Sequence, residues 1–332
     1  MSTPTIILVI RLSSIGDIVL TTPVLRMLKN QLDGEVEIHF LTKAKFASLL
    51  DGNPYITKVH TMEKTVQEAL PELEKLGFDY IIDLHNNIRS AVVKRSLKCL
   101  AFTFKKYNFR KWLWVNFGIN TMPDVHIVDR YIEPIKGFGV NDDGKGLDFF
   151  IPNAKGIAES DLPSIMKNDF IAFAIGGMHE GKKMSKEKIA EVCSSTSHPI
   201  VLIGGSEDFD DGEFIASKSG SHVFNSCGKW TLHQSADALR RSQLVISGDT
   251  GMMHIASAFS KKIISLWGCT VPGFGMSPYR PHPSSVILQP MDRKKRPCSK
   301  LGNKCKYGMG NKCIDQIESA EISKSIEMLW AR

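Results

Sequence analysis

A single carboxylate stands where an apolar strand gives way to a helix near the start of the chain. Ile6 to Ile10 is an unbroken apolar run, which is typical of a buried parallel strand, and small polar residues and a glycine separate it from Asp17. Ligands of open α/β sheets bind at the carboxyl ends of the strands, so this turn would face a bound ligand. The helix N-terminus favours the ionised carboxylate, which makes Asp17 a candidate catalytic base; the alternative is that it only caps the helix.

A second polar turn follows another apolar strand and runs through Ser247-Gly248-Asp249-Thr250-Gly251-Met252-Met253-His254. Aspartate and threonine are good helix caps, and a glycine removes steric hindrance, so successive backbone N–H groups at a helix N-terminus can point at an anion. This pattern predicts a phosphate cradle. The alternative is a purely structural cap with His254 as a core residue.

The chain is long enough for two domains. Its 332 residues exceed what one hydrophobic core usually organises. Predicted strands alternate with helical segments, notably Lys64 to Leu76, and a stretch rich in Gly, Asp and Asn from Gly137 to Asn153 separates two such series. The predicted strands are Ile6 to Ile10, Val36 to Leu41, Tyr80 to Leu84, Phe170 to Ile175, Ile200 to Ile203, Leu244 to Ser247 and Ile263 to Trp267. The pattern favours two Rossmann-like domains joined near residue 155.

Glycines follow two of these strands directly, in Ile175-Gly176-Gly177 and Ile203-Gly204-Gly205. Glycine at such positions lets the backbone approach a ligand closely. Neither segment matches the G-x-G-x-x-G dinucleotide fingerprint, and no Walker A loop is present. An NAD- or FAD-dependent oxidoreductase is therefore disfavoured.

Composition excludes further classes. No apolar run reaches the roughly 18 residues of a membrane span, and the N-terminus lacks a signal-peptide pattern, so we expect a cytoplasmic protein. Seven cysteines, an odd number, do not suggest a disulfide framework. Cys298, Cys305 and Cys313 miss the paired C-x-x-C spacing of zinc sites, which favours a cysteine-bearing surface loop over a metal site.

The net charge of +7 is concentrated in one stretch that has no acidic residue between Asp83 and Asp124. Aromatic residues interleave with its basic residues, which are Arg89, Lys94, Arg95, Lys98, Lys105, Lys106, Arg110 and Lys111. This combination suits an anionic membrane surface, a phosphorylated lipid or single-stranded nucleic acid, and the alternative is a solvated helix face. A second basic cluster runs from Arg293 to Lys312.

Several motifs, in order along nearly the whole chain, resemble glycosyltransferase family 9, the ADP-heptose:lipopolysaccharide heptosyltransferases. The segments that carry the resemblance are Arg11 to Asp17, Asp79 to Arg89, Gly228 to Leu232, Gly248 to His254, and Trp267 to Thr270 with Pro278-Tyr279. The resemblance implies a GT-B architecture, with two Rossmann-like domains whose parallel sheets face a central cleft. Residues 1–155 would bind the acceptor and residues 156–332 the nucleotide sugar, and the last helix is a candidate for packing back on the first domain.

The resemblance also implies residue roles for an inverting, metal-independent transfer. Asp17 matches the family's catalytic aspartate, and Lys182 matches the lysine that neutralises the leaving diphosphate. Donor-binding positions would be Gly177, Lys183, Glu207, Trp230, Asp249, Thr250, Gly251, Met252 and His254. Acceptor-binding positions would be Ser13, Ser14, Gly16 and Arg89. Trp230 lies next to the expected base and would stack on adenine.

The sequence departs from the family pattern after the lysine, where Met184-Ser185 replaces the usual Trp-Pro pair. The choice between Lys182 and Lys183 at the phosphate therefore stays open. The acidic residue on the ribose is also ambiguous, and Glu207 is preferred over Asp208 and Asp210.

The implied reactants are ADP-heptose, used without a cofactor, and an anionic glycolipid at the cytoplasmic face of the inner membrane. The protein would act as a monomer in peripheral contact with that surface, with no nucleic-acid partner. The alternatives are another nucleotide-sugar donor on the same fold or, further off, a basic nucleic-acid-binding protein.

Overall fold

Apolar runs of four to eight residues form two parallel sheets in this protein. A computed structural model describes residues 3–291, 296–303 and 312–331. The chain divides into two compact units. Unit 1 comprises Met1–Lys106 and Val125–Pro152, and unit 2 comprises Tyr107–Asp124 and Asn153–Arg332.

The strands of the described residues are, in chain order, β1 (Thr5–Ile10), β2 (Val36–Lys43), β3 (Lys58–Met62), β4 (Tyr80–Asp83), β5 (Leu100–Thr103), β6 (Ile171–Ala174), β7 (Ile200–Ile203), β8 (Val223–Asn225), β9 (Leu244–Gly248), β10 (Lys262–Leu266) and β11 (Val286–Leu288). The helices are α1 (Ile15–Val19), α2 (Thr22–Gln31), α3 (Leu70–Leu73), α4 (Ile88–Leu97), α5 (Asn108–Phe117), α6 (Ile127–Ile132), α7 (Lys186–Ser194), α8 (Phe209–Ser219), α9 (Leu232–Arg241), α10 (Gly251–Ala258) and α11 (Ser319–Trp330).

Unit 1 contains a five-stranded sheet in the order β3-β2-β1-β4-β5, and every pair is parallel. The central strand β1 is fully buried from Ile7 to Ile10, as a sheet covered by helices on both faces requires. Pairing of Ile10 with Leu41 on one side and with Asp83 on the other aligns the carboxyl ends of β1, β2 and β4. The strand order runs one way from β1 to β3 and the other way from β4 to β5. The direction of the strand order therefore changes between β1 and β4.

Unit 2 contains a six-stranded parallel sheet in the order β11-β10-β9-β6-β7-β8. Its order reverses between β6 and β9, and its core joins apolar residues of the strands to those of α7 and α11. The last helix packs on this core through Ile322, Ile326 and Leu329.

The prediction of two Rossmann-like parallel sheets is confirmed, and the seven predicted strands lie within a residue or two of their predicted bounds. The single helix predicted from Lys64 to Leu76 is wrong. A short 3-10 turn at Val66–Glu68 precedes α3, because Glu68 accepts the backbone N–H of Thr65 in a capping box and Pro71 then starts a new helix in its first turn.

The segment from Asp143 to Asp148 is attached to α2 by ion pairs and hydrogen bonds of the buried Arg26. The Arg26 guanidinium contacts both oxygens of Asp143 at 2.7 and 2.9 Å, pairs with Asp148, and donates to the Gly146 carbonyl at 2.9 Å. Arg26 is 3% exposed, so these contacts satisfy a cation that water does not reach.

We predict that Arg26→Met lowers the free energy of unfolding by about 3 kcal/mol, because two carboxylates would lose their buried partner. Urea denaturation measures this loss. The control is Lys136→Met, whose ion pair with Glu133 is exposed on both sides and should contribute nothing measurable. An equal stability of wild type and Arg26→Met would contradict the assignment.

Candidate active site

In unit 2, the polar residues follow the two strands at which the sheet order reverses. Gly176 and Gly177 follow β6, and Asp249 follows β9, its neighbour in the sheet. A Cβ atom at Gly248 would lie 2.7 Å from the Lys182 carbonyl oxygen, so glycine is needed where the end of β9 meets the loop after β6. Ligands of such sheets bind at this point, which makes it the candidate donor site.

The side chain of Lys182, a residue of the loop after β6, contacts the turn that follows β9. Its ammonium lies 2.7 Å from Asp249 Oδ2, which also accepts a hydrogen bond from the Thr270 hydroxyl at 2.9 Å. Asp249 is 7% exposed, and a carboxylate at that depth requires such partners. The aspartate thereby positions the ammonium beside the start of α10.

The first turn of α10 has the features of an anion site. Thr250 is the N-cap, but its hydroxyl lies 3.1 Å from that of Ser247 and makes no side-chain cap hydrogen bond to the helix. The backbone N–H groups of the first turn, which includes Gly251 and Met252, therefore keep their capacity to bind an anion. His254 lies in the same helix and is 2% exposed. A Cβ atom at Gly177 would meet the Thr250 methyl at 3.2 Å, so the β6 and β9 turns are in close contact.

Lys183 has different partners. Its ammonium lies 2.7 Å from Asp208 Oδ1 and 3.4 Å from Glu180. Burial alone would lower the pKa of Lys183, but Asp208 and Glu180 raise it above its usual value. Because Asp208 is 1% exposed and also accepts the Gly205 N–H, Lys183 completes a buried pair at the end of β7. This arrangement favours Lys182 as the lysine that meets a phosphate.

Glu207 and Trp230 follow β7 and β8, respectively. A Cβ atom at Gly228 would lie 2.9 Å from Ser206 Cα, so the turn before Trp230 packs tightly on the loop that carries Glu207. The Trp230 ring is half-buried and lies 6.0 Å from the ring of Phe224. Glu207 is exposed. The structure thus brings the turns of these two predicted donor residues together at one side of the sheet.

In unit 1, Asp17 is the third residue of α1 and shares its two oxygens between two partners. Oδ1 lies 2.6 Å from Arg11 Nη2, and Oδ2 accepts the hydroxyl of Ser14 at 3.0 Å and its N–H at 3.3 Å. Ser13 and Gly16 complete this turn, in which the Ser13 carbonyl accepts from Arg11 Nε at 2.8 Å. Asp17 therefore lies at the start of a helix, as predicted. It makes capping contacts with Ser14 and an ion pair with Arg11.

Burial by itself would raise the pKa of Asp17, but the Arg11 charge and the hydrogen bonds from Arg11 and Ser14 hold it below its usual value. The side chain is 22% exposed. Asp17 is thus ionised at neutral pH and still accessible, as a proton acceptor must be.

Arg89 lies in the first turn of α4 and is exposed. A cation is unfavourable at a helix N-terminus, so this residue does not serve helix stability. The start of α4 is fixed instead by the Ser90 hydroxyl, which donates to the buried Asp83 at 2.8 Å.

Two residues that the sequence did not single out belong to this site. Arg11 links the two central strands, since Nη1 donates to the Leu84 carbonyl after β4 at 2.5 Å while Nη2 holds Asp17. His85 follows Leu84, and within the described residues its buried Nδ1 has no hydrogen-bond partner. Burial and the charges of Arg11 and Lys106 lower the pKa of His85 to about 4, so the ring is neutral at pH 7. The sequence offered one signal for His85, because it is a polar residue that closely follows β4, a buried neighbour of β1.

The basic stretch forms α4, β5 and α5, whereas Arg293–Lys295 and Cys305 lie outside the described residues. Cys298 and Cys313 are buried, and no group of three metal-ligand side chains occurs in residues 3–291, 296–303 and 312–331. The helices of those same ranges are too short or too polar to cross a bilayer.

Comparison with known proteins assigns the fold first. A glycosyl transferase of family 9 from Veillonella parvula has a TM-score of 0.78 at 23% identity, covering 98% of this chain and 97% of that one. The ADP-heptose lps heptosyltransferase II of E. coli has a TM-score of 0.74 at 18% identity, covering 98% of both chains. The protein therefore has the GT-B fold of these glycosyltransferases.

Sequence comparison then assigns the family. The model of glycosyltransferase family 9 (heptosyltransferase) matches residues 69–306, well over half of the chain. Lipopolysaccharide heptosyltransferase 1 of Campylobacter coli is 24% identical over 98% of this chain and 98% of that protein. This chain belongs to glycosyltransferase family 9, as the sequence motifs predicted, and is a glycosyltransferase.

We predict that Arg11→Met raises the pKa of Asp17 above its usual value, because the partly buried carboxylate then loses its cation. In the folded wild type the pKa of Asp17 is depressed, so its ionised carboxylate stabilises the folded state at neutral pH. The variant is therefore penalised most at neutral pH, and the difference in unfolding free energy shrinks as the pH falls through the raised pKa.

Urea denaturation across acidic and neutral pH measures this dependence. Arg11→Lys keeps a positive charge and should show a weaker trend. A stability difference between wild type and Arg11→Met that does not change with pH would show that Arg11 acts only through its contacts to Ser13 and Leu84.

Proposed function

We propose that the protein transfers a heptosyl group from ADP-heptose to an acceptor sugar of the lipopolysaccharide core, with inversion and without a metal ion. The observation that carries this proposal is the pairing of Lys182 with Asp249 at the start of α10, because a fixed cation beside helix N–H groups suits a nucleoside diphosphate. The family description and the names of the Campylobacter coli and E. coli relatives support the sugar, the donor and the acceptor class.

In this proposal Asp17 accepts the proton of the acceptor hydroxyl. The hydroxyl oxygen bonds to the anomeric carbon as the bond from that carbon to the phosphate oxygen breaks. Because attack occurs on the face opposite the leaving group, the configuration inverts. The depressed pKa of Asp17 keeps the carboxylate ionised, and the hydroxyl becomes acidic enough for a weak base only as the new bond forms.

The leaving group is ADP, and negative charge develops on its diphosphate. Lys182 and the first-turn N–H groups of α10 would stabilise that charge, a role that a divalent metal serves elsewhere. An ammonium has three N–H donors and Asp249 engages one, so the others remain for phosphate oxygens. This account supports the metal-independent mechanism.

Trp230 and Glu207 would hold the adenosine, with the indole stacked on adenine and the carboxylate on the ribose hydroxyls. Another nucleotide-sugar donor remains the alternative, because family membership does not define the base. Lys183 would contribute indirectly, by fixing the loop that follows Lys182.

The acceptor would bind to unit 1 through Ser13, Ser14, Gly16 and Arg89, with Arg89 facing an anionic core phosphate. His85 would contact the same acceptor as a neutral hydrogen-bonding group. Such an acceptor is a glycolipid, so the protein would work as a monomer at the cytoplasmic face of the inner membrane, where basic residues favour anionic lipid.

We predict that ADP binds to the purified protein without added metal and more tightly than UDP or NAD. Lys182→Ala should weaken ADP binding about tenfold or more, because a charge-assisted contact to the diphosphate is lost. Isothermal titration calorimetry measures both effects.

Lys183→Ala should instead lower the melting temperature, since Asp208 would stay buried without a partner, with less effect on ADP. Lys186→Ala, a half-exposed lysine paired with Asp211, is the matched control and should change neither property. A preference for UDP would change the donor, and no nucleotide binding would refute the proposed function.

We predict that Asp17→Asn lowers kcat about a thousandfold while ADP affinity stays unchanged, because an amide cannot accept the proton. ADP release from ADP-heptose in the presence of acceptor measures turnover. Asp79→Asn is the matched control, since Asp79 accepts the Ile6 N–H and has no role in the proposed transfer. Wild-type turnover in Asp17→Asn would remove Asp17 from the role of base, and a joint loss of turnover and ADP binding would indicate a structural role.

A further inference from the structure

Helix α5 has two faces with different surroundings. It lies in the first half of the chain but belongs to unit 2, and none of its ten residues is fully buried. It carries a high density of aromatic residues in the sequence Asn-Phe-Arg-Lys-Trp-Leu-Trp-Val-Asn-Phe. The sites described above use none of them.

The inner face holds the helix on unit 2. The Trp114 ring meets Phe274 edge to face, with ring centroids 5.5 Å apart, and the Lys111 ammonium lies 5.0 Å from the Phe274 ring centroid. A Cβ atom at Gly273 would lie 2.7 Å from Trp114, so glycine is required for this contact. These contacts determine which face of the helix packs on unit 2.

The outer face presents three large aromatic side chains to solvent. Phe109, Trp112 and Phe117 are 69%, 39% and 62% exposed. Trp112 joins them, because its ring stacks on Phe109 at 5.9 Å and meets Phe117 edge to face at 5.2 Å. Ile119, just beyond the helix, is 53% exposed. Four exposed apolar residues within eleven positions exceed the scattered exposure that needs no explanation.

The charges around this aromatic face favour one kind of partner. The exposed Arg110 lies in the same helix, its guanidinium 5.2 Å from the Tyr107 ring. No acidic residue occurs in the sequence from Leu84 to Pro123. Phenylalanine and tryptophan beside cations are typical of segments that bind at the headgroup level of anionic bilayers, where the rings lie in the acyl boundary and the cations meet lipid phosphates.

We propose that the outer face of α5, formed by Phe109, Trp112 and Phe117, inserts into the interface of an anionic lipid bilayer. This inference rests on the proposed function only in that a glycolipid acceptor supplies the bilayer. It differs from a purely electrostatic contact, because ring burial is not screened by salt. Binding should therefore have a component that persists at high ionic strength.

The experiment measures cosedimentation of the protein with sucrose-loaded vesicles of phosphatidylcholine and phosphatidylglycerol, at low and high salt. Phe109→Ala/Trp112→Ala/Phe117→Ala should bind about tenfold more weakly or worse, and should lose the salt-resistant fraction. Ile165→Ala/Ile287→Ala/Met291→Ala removes exposed apolar side chains elsewhere in the same unit and is the matched control, which should bind like the wild type. Arg110→Gln should weaken binding only at low salt.

A second readout reports insertion directly. Vesicles should shift the tryptophan emission of the wild type to shorter wavelength, and brominated lipid should quench it. Trp112→Phe keeps an aromatic ring, so it should still bind vesicles while losing most of this shift and quenching.

Equal vesicle binding of the wild type and the aromatic triple variant would overturn the inference. A wild type that ignores vesicles but dimerises through these residues would also overturn it, and would identify the face as a protein interface. ADP binding and transfer to an acceptor without acyl chains are measured in parallel and should survive in the triple variant. Vesicle binding that depends on α5 in a protein without transferase activity would refute the proposed function alone.

Discussion

The constraint that organises this protein is the complete burial of its parallel strands. Residues Ile7 to Ile10 of β1 and all of β6 and β9 are buried among helices, so these strands carry almost no side chain that can do chemistry. Polar groups must therefore follow the carboxyl ends of the strands. The strand order reverses once in each sheet, between β1 and β4 and between β6 and β9, which is where such sheets bind ligands. Asp17 follows β1 and Asp249 follows β9 at these two points.

Each of these two points holds an ion pair, but the two pairs differ in the geometry of the cation. Arg11 spreads its planar group over Asp17 and the carbonyl oxygens of Ser13 and Leu84, which fixes the carboxylate relative to both central strands. Lys182 is a compact point charge that pairs with Asp249. A rigid carboxylate suits proton abstraction, which needs one geometry. The N–H donors of the ammonium that Asp249 does not engage suit a diphosphate that must first bind and then leave.

The sequence predicted the parts of this protein that depend on local pattern. Continuous apolar runs located the central strands, and the polar turns after β1 and β9 located Asp17 and Asp249. Edge strands β3, β5, β8 and β11 were not predicted, because β5, β8 and β11 are only three or four residues long and only two of the five residues of β3 are buried. The helix from Lys64 to Leu76 failed because a proline and a capping box override the helical periodicity.

The sequence could predict the site residues only where local motifs identify them. Lys182 and Lys183 are neighbours of the same type, so no local signal separates them. Their difference arises from partners 67 and 25 positions away, Asp249 and Asp208. The partnership of Arg11 with Leu84, and the neutral state of His85, likewise depend on β1 and β4 lying side by side. Such contacts follow from the fold and not from the pattern.

Chain order also misleads about α5. The helix follows β5 of unit 1, so a division by sequence assigns it to the first domain, whereas its Trp114 packs on Phe274 of unit 2. An aromatic face attached in this way belongs to the unit that carries Lys182 and Asp249. If that face rests in a bilayer, the membrane holds the candidate donor-binding unit directly. The apolar residues of α5 then need no partner within the protein, which explains why this helix exposes three aromatic rings at the physical cost of hydrating them.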